Sequence, residues 1–203
     1  MESNELSPEK SLQLISDMIS KSRAELSKTT GKPFLIWGFC VLATSLLVWI
    51  TWSQTGDPKW NLLWYAMIVV GGGLSLLFQR KGSKQGEKRT ARTFIGSAID
   101  TTWILFGCIS CSVAVINLFV AIPVLLYILL LMGFATALTG SLLKRPAIIA
   151  CGVASIIVCI PLGAGFWNMG PDSTLAMSLS ALISLVIPGF ILNGKSSKTP
   201  QNV

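Results

Sequence analysis

The chain has 203 residues, of which 52% are hydrophobic and 12% charged, with a formal net charge of +7. Soluble domains carry about 25% charged residues, so half that share, set between long uncharged runs, excludes an ordinary water-soluble globule and points to lipid as the solvent. There is no histidine, which removes the commonest metal ligand and the usual base at neutral pH.

Residues Met1 to Leu6 are polar and frayed. Ser7-Pro8-Glu9 reads as a helix start, with Ser at the N-cap, Pro at the first helical position and an acid in the first turn. Leu12, Ile15, Ile19 and Leu26 then recur at helical spacing, widened by Leu14 and Met18, against Lys10, Asp17, Lys21, Arg23 and Glu25. This predicts an amphipathic leader helix, ended by Thr29 to Lys32 with Gly31 among them. No apolar signal-peptide core precedes it, so the first spanning segment is expected to act as its own insertion signal.

Six apolar segments follow, at about 33–52, 60–78, 96–116, 123–143, 146–166 and 173–192. Each has the roughly 20 residues that cross a ~30 Å hydrocarbon core at about 1.5 Å per residue. Helix is the economical state there, because backbone groups must bond within the segment. The expected fold is an all-α, polytopic bundle of six transmembrane helices. A cytoplasmic leader occupies 1–32, the membrane domain 33–194 and a short tail 195–203.

The connections are short except for the second, from Gln79 to Ile95, where Gly82, Ser83 and Gly86 predict some flexible loop. It carries Arg80, Lys81, Lys84, Lys88, Arg89 and Arg92. Lys10, Lys21, Arg23, Lys28 and Lys32 precede the first segment. Lys144 and Arg145 sit in the fourth connection, and Lys195 and Lys198 in the tail. Only Lys59 falls on the other side. The positive-inside rule then places both termini in the cytoplasm, with Trp52, Trp60, Trp64 and Trp167 near the outer boundary. Membrane orientation accounts for the basic excess, so no nucleic-acid partner is expected.

Few residues invite chemistry. Asp100 is the only acid inside an apolar segment; it suits a proton relay or cation site, or else an interfacial carboxylate paired with Arg89 or Arg92. Cys108 and Cys111 form a C-x-x-C on one helix face, as in quinone-linked thiol oxidoreductases, yet no outer-loop cysteine is present to relay electrons, and cysteine also packs as a small apolar residue. The five cysteines all lie in apolar runs, so no disulfide framework is implied. Gly71-Gly72-Gly73, and the pairs Gly107/Cys111, Gly133/Ala137 and Ala150/Ala154, are expected at close helix contacts. Pro161 and Pro188 are expected to bend their helices mildly near the ends. Gly38-Phe39, Thr44 and Leu47 match Gly133-Phe134, Thr139 and Leu142 at a constant offset, a faint echo of the kind an inverted repeat leaves. No nucleotide loop, metal cluster or nucleophile–base pair is visible, so no cofactor is expected.

Two stretches, Ser11 to Ile19 followed by Phe34-Leu35-Ile36-Trp37-Gly38, and Gly133 to Ile149, resemble an uncharacterised bacterial inner-membrane protein family of about this length with a short amphipathic leader. That resemblance implies a multi-pass protein of the bacterial cytoplasmic membrane and supplies no catalytic or ligand residue. The expected role is non-enzymatic. Membrane lipids are expected partners: the leader (Leu12, Ile15, Ile19, Leu26) is expected to lie in the cytoplasmic interface as an anchor with its basic residues toward anionic headgroups, or else to serve with the basic second loop as a contact surface for a cytoplasmic protein or a second copy. A small-solute or ion transporter using Asp100, and more remotely a thiol redox protein using Cys108 and Cys111, are the alternatives.

The topology is open to direct test. In a cysteine-free background, Lys59→Cys should react with a membrane-impermeant maleimide on intact cells, and Lys198→Cys only after permeabilisation. The reverse pattern, or labelling of both from one side, would refute it.

Overall fold

A computed structural model describes residues 8–84, 94–163 and 170–194. Among these there is no strand. The elements are α1 (Pro8–Thr55), a 3₁₀ turn (Pro58–Leu62), α2 (Leu63–Lys84), α3 (Phe94–Ile116), α4 (Val124–Leu142), α5 (Pro146–Gly163), α6 (Asp172–Ala181), a π-helical turn (Leu182–Val186) and α7 (Ile187–Gly194). Five stretches are long and apolar enough to cross a membrane: Thr30–Thr55, Pro58–Leu77, Phe94–Ile116, Val124–Leu142 and Asp172–Gly194. The fifth predicted segment corresponds to α5, of which 18 residues, Pro146–Gly163, are described. The remainder of that segment, 164–166, lies outside the described residues, as does Trp167.

The distribution of polarity is the reverse of a soluble protein's. Val69 is 76% exposed, Ile104 63% and Phe134 60%, while Ser45, Thr136, Thr139, Ser155, Ser180 and Ser184 are fully buried. An exterior this apolar would aggregate in water and is the expected solution when hydrocarbon surrounds the bundle.

Neighbouring helices alternate in direction. Along α1 and the α6–α7 span, Gly31 faces Leu192, Gly38 faces Val186, and the Trp49 indole donates to an Asp172 carboxylate oxygen at 3.3 Å. Numbers rise on one side and fall on the other, so the pair is antiparallel. In the same way Gly133 faces Ile156 and Gly140 faces Ile149 across α4 and α5, and Gly71 meets the Trp37 ring across α2 and α1. The α3–α4 pair follows suit, with Trp103 Nε1 donating to Thr139 Oγ1 at 3.2 Å and Ile99 clustering with Leu143.

The buried face of α1 is a strict seam. Gly31, Phe34, Gly38, Val41, Ser45 and Val48 are buried, at alternating spacings of three and four. That is the heptad pattern of helices packed at shallow angles, with small residues alternating with larger ones. The small ones let α6–α7 approach: a Cβ on Gly38 would lie 2.9 Å from Val186 Cγ2, and one on Gly189 2.8 Å from Leu35 Cδ2.

Three expectations are corrected. First, Thr29 to Lys32 do not end the leader: α1 runs unbroken for 48 residues, about 70 Å at 1.5 Å per residue. Gly31 serves close approach to Leu192 rather than a C-cap, and Pro33 is exposed, so the hydrogen bond it removes is lost at a surface and not in the packed core. Second, α2 continues through Lys84, past the expected end at Phe78. Arg80, Lys81 and Lys84 therefore belong to helix rather than to the loop expected there. Third, the small residue of α5 that faces α4 is Gly152, not Ala150, which is exposed. Gly72, Gly73 and Gly107 likewise have nothing within 4 Å of where a Cβ would stand. The internal echo is not carried in packing either, since α4 pairs most closely with α5 whereas α1 packs chiefly on α6–α7.

At the α1–α2 turn Gly56 adopts φ +69°, the left-handed conformation glycine takes without a Cβ clash. Asp57 then caps the 3₁₀ turn by accepting from the Lys59 amide at 2.9 Å.

The α4–α5 hairpin is the tightest contact. A Cβ on Gly152 would run into the backbone of Ala137 and lie 2.6 Å from the Gly133 carbonyl oxygen, neither of which can swing aside. Gly152→Ala should cost about 1–3 kcal/mol, read as a lower melting temperature in detergent. Gly72→Ala, facing open space, should leave melting unchanged or slightly raised. Equal effects at the two positions would refute this account of the hairpin.

Candidate functional site: the buried hydroxyl core and the leader groove

Proline at 188 has no N–H to give the carbonyl four residues earlier, that of Ser184. In hydrocarbon an orphaned carbonyl costs several kcal/mol. The fold answers twice. The helix widens into the π turn Leu182–Val186 immediately before the proline, with the Ile187 amide reaching the Leu182 carbonyl. From α4, the Thr136 hydroxyl donates to the freed Ser184 carbonyl at 3.1 Å in a fully buried position. Pro188 thus recruits a neighbouring helix, a consequence larger than the mild bend expected of it.

The other buried hydroxyls are also engaged. Ser184 Oγ donates to the Ser180 carbonyl at 2.7 Å, and Ser155 and Ser180 share a hydroxyl–hydroxyl bond between α5 and α6. Thr139 Oγ1 donates to the Ala135 carbonyl at 2.8 Å while accepting from Trp103. Ser45 Oγ donates to the Leu42 carbonyl at 3.0 Å. These groups tie helices together. None has an acid or base beside it that would activate a hydroxyl for nucleophilic chemistry.

Asp100 lies on the exposed face of α3. The preceding residue, Ile99, is buried with Leu143, Ile148 and Leu192, which mark the α4–α5 turn and the end of α7. Asp100 is therefore at the level of that turn, outside the bundle. Arg89 and Arg92, its expected partners, lie outside the described residues, as does Lys88. Cys108 and Cys111 are exposed and free. Among the described residues no group of His, Cys, Asp and Glu could hold a metal ion.

The leader keeps its apolar stripe uncovered: Leu12, Leu14, Met18 and Ile19 are exposed. Leu26 instead packs at the bundle's end, against the cluster of Ile99, Leu143, Ile148 and Leu192. The side chain of Ile15 is outside the described residues. Beside the stripe an open groove of about 350 Å³ is lined by Leu12, Ser16, Ile19, Ser20, Arg23 and Lys144. A second, apolar groove of about 410 Å³ lies on the outside between α1 and α6, lined by Leu42, Leu46, Leu175, Ser178, Leu179 and Leu182. Asp100 lines neither.

Sequence reasoning missed the hydroxyl core because serine and threonine in an apolar segment leave no periodic mark; the one available signal was Pro188 itself, which obliges some donor to serve Ser184. It missed the groove because Lys144 is over a hundred residues from the leader. Compared with protein-family models, curated proteins and solved structures, the chain matches none.

Thr136→Val removes the donor and should cost about 1–3 kcal/mol. In a Pro188→Ala background, where an amide is available to Ser184, the same substitution should cost clearly less. Additive losses in thermal melts would show that Thr136 does not serve the proline's orphaned carbonyl.

Proposed function

We propose that this is a six-span protein of the bacterial cytoplasmic (inner) membrane, with both termini in the cytoplasm, that works without catalysis through contacts with protein and lipid. The α1 extension, residues 8–29, is its contact arm. Support for the crossing pattern comes from the apolar exterior, the alternating helix directions and the concentration of basic residues in alternate connections. The described part of α5, Pro146–Gly163, already measures about 27 Å, close to the hydrocarbon thickness of a bilayer. Its close pairing with α4 carries it across.

The observation that carries the functional reading is the continuity of α1. A leader joined to the span by a flexible turn could lie flat in the headgroups. A helix running on without interruption directs its stripe out of the membrane, since even a proline kink turns a continuous helix by only some tens of degrees. Exposed Leu12, Leu14, Met18 and Ile19 then face a protein partner, in the manner of an amphipathic helix that offers its apolar stripe to a groove or to its own kind.

A transport reading through Asp100 draws less support, since that carboxylate stands outside the bundle and the core hydroxyls are engaged with one another. A redox reading through Cys108 and Cys111 meets the same objection, both thiols being on the outer surface.

Affinity capture with the full chain and with residues 1–28 deleted tests the proposal. Partners, including a differently tagged second copy, should be lost with the arm while the bundle still inserts and melts normally. Identical partner sets would overturn it. Asp100→Asn should leave expression and partner capture unchanged.

A further inference from the structure

The groove between the leader and the α4–α5 turn carries more than an apolar stripe. Two cations, Arg23 and Lys144, and two hydroxyl residues, Ser16 and Ser20, line it together with Leu12 and Ile19. No acid is among the described lining residues. The ion pair found among the described residues is Lys59 with Asp57 at the opposite end, so among them neither Arg23 nor Lys144 has an acidic neighbour that neutralises it. The Nε of Arg23 is buried with no hydrogen-bond partner, and a buried charged donor left unmade is expensive. Such a donor, beside a second cation and two hydroxyls, calls for an anion with several acceptor oxygens.

Lys144 adds an independent sign. It terminates α4 in a Schellman motif: the Lys144 amide donates to Ser141 at 3.1 Å and the Arg145 amide to Gly140 at 2.8 Å. The residue at this position takes the left-handed conformation, here φ 52°, where glycine is the ordinary occupant. A lysine there carries backbone strain that a glycine would avoid. Its side chain lines the groove, beside Leu143, which enters the core.

We propose that this groove seats the phosphate of an anionic phospholipid headgroup at the base of the arm, with Arg23 and Lys144 on the phosphate and Ser16 donating to one of its oxygens. The choice of lipid over a soluble phosphate follows from the position of Lys144, next to Leu143 in the last buried turn of the bundle. It rests on the cytoplasmic placement given above for the side of the membrane, and on the groove alone for the binding itself.

Native mass spectrometry of the full chain in detergent is the test, titrating dioleoyl-phosphatidylglycerol against dioleoyl-phosphatidylcholine. Phosphatidylglycerol should bind at least about fivefold tighter, and the double variant Arg23→Gln/Lys144→Gly should lose about 25-fold of that affinity, from roughly fivefold for each charge. Lys32→Gln, outside the groove, should stay within about twofold, as a surface charge not in contact does. Because Lys144→Gly relieves the left-handed strain, the single variant should melt no lower than the parent, which separates lost binding from lost folding. Unchanged phosphatidylglycerol binding in the double variant, or equal binding of the two lipids, overturns the site. Displacement of the lipid by millimolar inorganic phosphate overturns the lipid assignment. Selective binding in a protein whose Lys198→Cys label reports from outside would sink the topology and leave the groove standing.

Discussion

A carbonyl in hydrocarbon has no water to turn to, and the interior of this bundle is organised around that fact. Pro188 withdraws one amide from the final span, and the π turn before it, the hydroxyl of Thr136 and the position of α4 all answer to the loss. Since Thr136 must reach Ser184, α4 is fixed in height against the last span. With α4 fixed, the close seating of Gly133, Gly140 and Gly152 fixes α5, and Ser155 with Ser180 closes the ring from α5 back to α6. Hydrophobic burial cannot set these heights, because lipid tails are as apolar as the leucines they would exchange with. Shape and a few satisfied polar groups do the sorting.

Glycine and serine supply the shape. Along α1 the alternation of Gly31, Gly38 and Ser45 with Phe34, Val41 and Val48 makes a ridge and a trough that match α6–α7 in antiparallel register. One end of it is marked by Trp49 and Asp172 and the other by Gly31 and Leu192. The helices α2 and α3 contribute less to this core. Trp64 and Met67 of α2, and Trp103 and Phe106 of α3, pack against the core from outside, leaving most of each helix to the surroundings.

Length and polarity made the segments legible from the amino-acid sequence. An apolar run of about twenty residues is a one-dimensional property, and the start of α5 was readable from Pro146. What was not legible depended on three dimensions. Gly31 looks like a helix stop until Leu192 is seen against it. Ala150 and Gly152 both suit a close contact, and only the facing backbone of Ala137 distinguishes them. Pro188 announces a defect without saying which helix will repair it. Lys144 and Arg23 read as orientation signals in separate segments, and their convergence on one groove requires the turn of α4 to be folded beside the leader. The candidate residues that rested on isolated chemistry, Asp100 and the Cys108/Cys111 pair, are placed by the fold on the outer surface.

The unbroken course of α1 has a mechanical corollary. A single rod reaches from the outermost turn of the protein to the tip of the arm, and its membrane half is clamped by a seam that tolerates little sliding. Force applied at the arm by a docked protein is therefore delivered as torque to the Gly31–Gly38–Ser45 ridge, and from there to the span that contains the π turn, the one stretch of that helix already departing from ideal winding. Conversely, any tilt of the rod within the bundle would swing the arm through an arc magnified by its own length.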